Sequence, residues 1–142
     1  MLKMLDNTNK KIISELKKDS RQPIRDISKK TGLRPSTVHN RIKKLVDDGT
    51  ITNFTIKLNN AKTGENFIVF ILVNSEKEIP EIFFKKDNIK EVFGITGEHD
   101  LLLKCKFKDI EDFNKFILEF RKIPEISKTI TMVSTTTIKE EL

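Results

Sequence analysis

Residues 31–49, TGLRPSTVHNRIKKLVDDG, leave little choice of fold: they spell a short helix with two marked ends. Val38, Ile42, Leu45 and Val46 recur at i, i+4, i+7 and i+8, the spacing that gathers one apolar stripe on a helix. A turn of about 100° per residue then puts Ser36, Asn40, Lys43 and Lys44 on the opposite side, with Thr37, His39 and Arg41 on the flanks. Pro35 suits a first helical position, where its missing N–H has no partner to lose, and Gly49 suits a left-handed cap. Just upstream, residues 23–30 form a shorter helical stretch with Ile24 and Ile27 on one side, and Ser28 stands four positions before Gly32. A small residue followed at that distance by Gly lets two helices cross closely around a tight turn, so the pair reads as a helix-turn-helix. In that motif the second helix enters the DNA major groove, about 12 Å wide, with its N-terminal side chains against base edges. Ser36, Thr37 and Asn40 are placed for that reading.

Charge placement agrees. The chain of 142 residues carries a net +6, but residues 1–60 hold 14 Lys or Arg against 6 Asp or Glu, giving +8, while residues 61–142 hold 13 against 15, giving −2. Nine of the ten Phe also lie after residue 60. Two domains with different partners are therefore expected, residues 1–60 and 61–142. Arg21 and Arg25 flank the start of the helix-turn-helix and are candidate phosphate contacts. Lys10, Lys11, Lys17 and Lys18 on the preceding helix read as solvated.

No apolar run approaches the roughly 20 residues that span a bilayer, and the first 20 residues are charged throughout rather than signal-like, so a cytoplasmic protein without a membrane partner is expected. A single Cys105 excludes an intramolecular disulfide, and two histidines, His39 and His99, form no zinc-like cluster. Neither a metal centre nor a cofactor is expected.

Taken in order, Asp6 caps a first helix to about Lys18, with Ile12, Ile13 and Leu16 inward and Leu5 as a staple, completing a three-helix head. Residues 51–58 alternate imperfectly with period two and suggest a strand leaving the head; residues 59–66 are rich in turn formers. The second half opens on seven apolar residues, 67–73, the pattern of a strand buried on both faces. A weak helical segment at 79–86, strands at 89–96 and 101–107 around a turn at 97–100, an amphipathic helix at 109–120 and a Thr-rich strand at 127–139 follow. That helix is capped by Asp109 and carries Ile110, Phe113, Ile117 and Phe120 inward. The order βαββαβ is ferredoxin-like, so the chain as a whole is α+β. Helices cover only one face of such a sheet. Because residues 67–73 are apolar on both faces, the second face needs a cover, and the same face of another copy is the simplest one.

These words resemble the Lrp/AsnC, or feast/famine, family of transcription regulators over essentially the whole chain. The resemblance rests on LDNTNKKIISELKKDSR, on DISKKTGLRPSTVHNRIKKLVDDGTI, and on the turn Gly97 to Asp100 within a βαββαβ half. It implies a sequence-specific DNA-binding regulator, dimeric or of higher order, that reads a pseudo-palindromic site on double-stranded DNA and responds to an amino acid or related metabolite. Base reading falls on Ser36, Thr37 and Asn40, backbone contact on Arg41, Lys43 and Lys44, and either role on His39. Effector contact falls on Gly97 and Asp100, with Glu98 and His99 in the same turn. The family usually has Ser where Arg34 precedes Pro35; here a capping hydroxyl is exchanged for a candidate phosphate contact. Leu101 stands where an aromatic is frequent, so the effector's identity does not transfer.

Two other readings remain open at this stage. Basic charge alone supplies nonspecific affinity, which would suit an architectural DNA-binding protein. A small ferredoxin-like enzyme is the other, although Glu98, His99 and Asp100 are its only acid–base grouping and Cys105 falls among inward strand residues. No enzyme activity is expected.

Overall fold

The structure is a computed structural model that describes residues 5–141. It divides into two compact units, one ending at Ile56 and the other beginning at Lys57.

The first unit is a three-helix head: α1 (Asn7–Lys18), α2 (Ile24–Thr31) and α3 (Pro35–Asp47). Asp6 caps α1 as its composition requires, its carboxylate accepting from the Asn9 N–H at 2.7 Å. Gly32 ends α2 in the left-handed region at φ 72°, and its N–H returns to the Ser28 carbonyl. The Ser28 hydroxyl donates to the Leu33 carbonyl across the same turn, so the small residue before the crossing also satisfies the backbone that leaves it. At the far end of α3, Gly49 adopts φ 75° and Ile51 N–H reaches the Leu45 carbonyl at 2.8 Å. Ile12, Ile27 and Val38, one from each helix, are fully buried together, with Leu16, Ile24, Leu33 and Ile42 packed around them. Leu45 is buried as well, but Val46 is exposed, so the stripe on α3 is narrower than its spacing predicts.

Residues 51–59 form no strand. Their alternation is real, but a strand also needs a neighbour to take its backbone hydrogen bonds. The described residues offer none, and Phe54, Ile56 and Leu58 stay exposed. The turn-rich stretch after them closes into one helical turn, α4 (Asn60–Thr63), capped by Asn59 and ended by Gly64.

The second unit is a four-stranded antiparallel sheet in the order β2-β3-β1-β4, built from β1 (Phe67–Ser75), β2 (Ile89–Gly94), β3 (Leu101–Phe107) and β4 (Ile126–Val133). Helix α5 (Ile110–Phe120) lies on one face, and the weak helical segment before β2 is only a 3-10 turn, Glu81–Lys85. The order of elements is the ferredoxin-like βαββαβ with its first helix reduced to that turn. Val69, Ile71 and Val73 on β1 meet Cys105, Leu103 and Leu101 on β3 in register, and all but the half-buried Leu101 are fully buried. Above them Phe67, Phe113, Phe107, Phe116 and Phe120 run as a chain of ring contacts with centroids 5.1–5.9 Å apart. This accounts for the crowding of Phe in the second half. Ile110, expected inward from its spacing, faces solvent, while Phe116, which the spacing did not single out, is buried. The final strand ends at Val133, where residues 134–141 turn away as an irregular strap.

Candidate nucleic-acid interface and turn site

On α3 the buried stripe fixes what faces outward. Val38 and Leu45 are locked in the core, which leaves Ser36, His39, Asn40, Lys43 and Lys44 exposed and Thr37 half-buried. None of these six side chains makes a hydrogen bond or ion pair among the described residues. Arg34, at the N-cap position of α3, makes no capping bond and is exposed as well. Arg21 is exposed beside α2, and Arg25 is loosely paired with Asp26 at 3.9 Å. The result is a rigid helix whose outer face carries donors, acceptors and cations with no partner inside the head. Such groups cost nothing while solvated and are available to phosphates and base edges.

Arg41 differs from its neighbours. Its guanidinium donates to Asp6 Oδ2 at 2.5 Å and to Asn9 Oδ1 at 3.2 Å, tying α3 to the first turn of α1. The Asn9 N–H and the Arg41 guanidinium hold the Asp6 carboxyl below its ordinary value. The residue placed by resemblance among the backbone contacts is thus already engaged as a brace. A long-range pair of this kind leaves no periodic mark in the sequence.

The turn between β2 and β3 is also built inward. Gly97 sits at φ 112°, a conformation that side-chain-bearing residues avoid. Asp100 Oδ2 accepts from the Ser75 N–H at 2.9 Å, while its own N–H donates to Val73 and its carbonyl accepts from Ile95. Asn74 donates to the Glu98 carbonyl at 2.6 Å, and its side-chain oxygen lies 2.7 Å from His99 Nδ1. Asn74 was missed from sequence; the available signal was an amide directly after the seven apolar residues of β1. Gly97, Glu98, His99 and Asp100 therefore come together with Asn74 and Ser75 in a hydrogen-bonded turn at one end of the sheet. One carboxylate oxygen of Asp100 and the whole Glu98 side chain make no bond within it.

Burial pushes the Cys105 thiol up to about 12, so the thiolate is not accessible near neutrality. Among the described residues no group of three His, Cys, Asp or Glu is disposed to hold a metal, and no helix is long and apolar enough to cross a membrane.

Comparisons with known proteins match both units. Residues 5–52 match the winged helix-turn-helix DNA-binding family, and residues 68–142 match the Lrp/AsnC ligand binding domain. An uncharacterised HTH-type transcriptional regulator of Pyrococcus furiosus is 39% identical over the full length of both chains. The HTH-type transcriptional regulator FL11 of Pyrococcus abyssi is 38% identical over 96% of this chain and 93% of its own. Among solved structures, a transcriptional regulator of Neisseria meningitidis in complex with L-methionine is similar with a TM-score of 0.90 at 25% identity, covering 97% of this chain and 94% of that one. An AsnC family regulator of Agrobacterium tumefaciens shares the fold at the same TM-score and 24% identity, over 96% and 94% of the two chains.

Proposed function

The chain belongs to the Lrp/AsnC family of transcription regulators, and from that premise we propose that it binds promoter DNA sequence-specifically as a homodimer and responds to an amino acid or related metabolite. The observation that carries the reading is the outer face of α3, polar and cationic, without an internal partner and mounted on a packed three-helix core. Ser36, Thr37 and Asn40 at the helix's N-terminal half read base edges, as the docking geometry of the motif requires. Arg21, Arg25, Arg34, His39, Lys43 and Lys44 meet phosphates and set affinity and register. Arg41 acts through Asp6 and Asn9 as a positioning residue, holding the angle of α3. The protein works beside the DNA, in the cytoplasm, and has no catalytic role.

The open face of the sheet supports the dimer. Phe70 and Leu72 on β1 share that face with Leu102 on β3, Phe93 on β2, and Ile130 and Met132 on β4. No helix covers them. A two-fold axis through this face buries them and sets two heads to read half-sites separated by one helical turn or a multiple of it. The turn at Gly97–Asp100 is the effector contact: the free oxygen of Asp100 and the Glu98 carboxylate suit an ammonium group. The L-methionine bound by the Neisseria relative makes an amino acid the first class to try.

Selecting bound duplexes from a random pool at near-physiological salt tests the reading. A two-fold symmetric motif is the expected product. Enrichment without a motif would overturn sequence reading in favour of charge-driven architectural binding. Titrating the twenty amino acids against the selected duplex then tests the sensor. The active one must shift DNA affinity and have its own affinity shifted by DNA to the same factor.

A further inference from the structure

Residues 134–141 run beside the open sheet face and are fastened at both ends. Ser134 N–H donates to the Ile68 carbonyl at 2.9 Å, continuing the β1–β4 pairing one bond past Val133. Six residues on, Glu140 Oε1 accepts from Lys106 Nζ at 2.7 Å and Lys104 Nζ at 2.9 Å, and its Oε2 accepts from the Asn60 amide at 3.0 Å. Lys106 also reaches Asn60 Oδ1 at 2.9 Å, and Lys104 reaches Glu91 at 2.9 Å. The carboxylate is thereby closed in a ring of donors with little access to water.

Between the two fastenings stands Ile138, 95% exposed, the most exposed large apolar side chain of the described residues. Mobile tails often carry such residues freely, but this one is held by bonds on either side. A groove of about 630 Å³ runs between the strap and the sheet, with Ile138 itself on its strap wall and Ile68, Phe70, Phe93 and Leu102 on its sheet wall. A rigidly presented apolar side chain and an unfilled apolar groove on one surface form a knob and a hole. Two copies related by a two-fold axis satisfy both at once, because an isologous contact pairs each element with its counterpart's complement.

We propose that Ile138 is the anchor of self-association, entering the groove of a second copy of this chain, and that Glu140 is the latch that holds the strap in the docking position. The proposal rests on the open-face dimer described above and adds the element that specifies it. Phe93, Ile130, Met132 and Ile138, between 37% and 95% exposed, alone present on the order of 400 Å² of apolar surface, about half of what each side of a standard interface buries. Phe70, Leu72 and Leu102, half-buried on the same face, add to it. The rim carries both signs, Glu91 and Glu141 beside Lys104 and Lys139, so approach of a second copy is not opposed by like charge. Pre-ordering the strap lowers the entropy lost on docking, which is the physical use of a latch.

Sedimentation equilibrium of the full chain tests this with four variants. Ile138→Ala removes two anchors per dimer and is expected to raise the dimer dissociation constant about a hundredfold; Ile138→Leu is expected to stay near wild type. Glu140→Gln, with Ile138 intact, is expected to raise it about tenfold. Met132→Glu places a charge in the middle of the sheet face and separates this proposal from the dimer reading beneath it. If Met132→Glu gives monomers while Ile138→Ala associates like wild type, the face is right and the anchor is overturned. If the wild-type chain is a monomer, or Met132→Glu leaves the dimer intact, the open-face reading fails and the anchor with it.

Discussion

Replacing Glu140 with Gln should destabilise the second unit measurably and in a pH-dependent way. The carboxylate accepts three hydrogen bonds, two of them from ammonium groups, and its side chain is only 13% exposed. Hydrogen bonds to charged groups contribute roughly 1.5–3 kcal/mol each, but Lys104 keeps Glu91 and Lys106 keeps the Asn60 oxygen, so only part of that is lost. The titration gives an independent bound. Bonds from Lys104 and then Lys106 hold the Glu140 carboxyl down from 4.5 to about 2 against the opposing effect of burial, which corresponds to roughly 3 kcal/mol of native-state preference for the charged form. The two arguments converge on about 2–3 kcal/mol. For a unit spanning residues 57–142, that lowers its calorimetric transition by roughly 10–20 °C. The folded value lies below the unfolded one, so this contribution is complete above about pH 4.5 and disappears as pH falls through about 2. Scanning calorimetry at pH 7 and at pH 2, at one fixed protein concentration because self-association adds its own stability, should therefore show a large gap that closes in acid. Equal transitions at pH 7, or an undiminished gap at pH 2, would refute the account of the latch.

Other consequences are independent of the strap. Asn40→Ala should cost about 1–3 kcal/mol of DNA affinity and relax one base position, whereas Lys43→Ala should weaken all duplexes alike and reduce the salt slope by about one; fluorescence anisotropy against matched and scrambled duplexes distinguishes the two. Arg41→Ala should lower the head's stability and lose DNA affinity without altering base preference, since the residue braces α3 through Asp6 and Asn9; a changed preference in the selected motif would instead give it direct readout. Phe107→Ala, which opens a cavity between Phe113 and Phe116, should cost about 3–5 kcal/mol in urea unfolding. Cys105, buried with its thiol pushed up to about 12, should react with a disulfide reagent only once the chain is unfolded.

Local chemistry in the sequence was enough to fix the helices of the head. Asp6, Pro35, Gly32 and Gly49 act on the backbone next to them, so their effects on helix ends are visible without any tertiary contact. The register of α3 followed in the same way, because the apolar period states which side is buried and hence that Ser36, Asn40, Lys43 and Lys44 face out. The runs of the second half likewise named its strands and their order. Periodicity misled where the surroundings decide. Val46 and Ile110 lie at the margins of their stripes and stay exposed because no neighbour reaches them, and residues 51–59 alternate without a strand to pair with.

Contacts between residues distant in the chain carry no period, and only the folded chain revealed them. Arg41 with Asp6, Asn74 with Glu98 and His99, and Glu140 with Lys104, Lys106 and Asn60 join positions 24 to 80 residues apart. In the sequence each is an ordinary polar residue indistinguishable from its solvated neighbours. The sequence by itself determined the elements, most of their buried faces and the polar residues left facing outward on α3, since those follow from chemistry acting over four residues or fewer. The tertiary structure decided which charges are engaged and which side chain is left over, because pairing depends on distances in space that the order of residues does not encode.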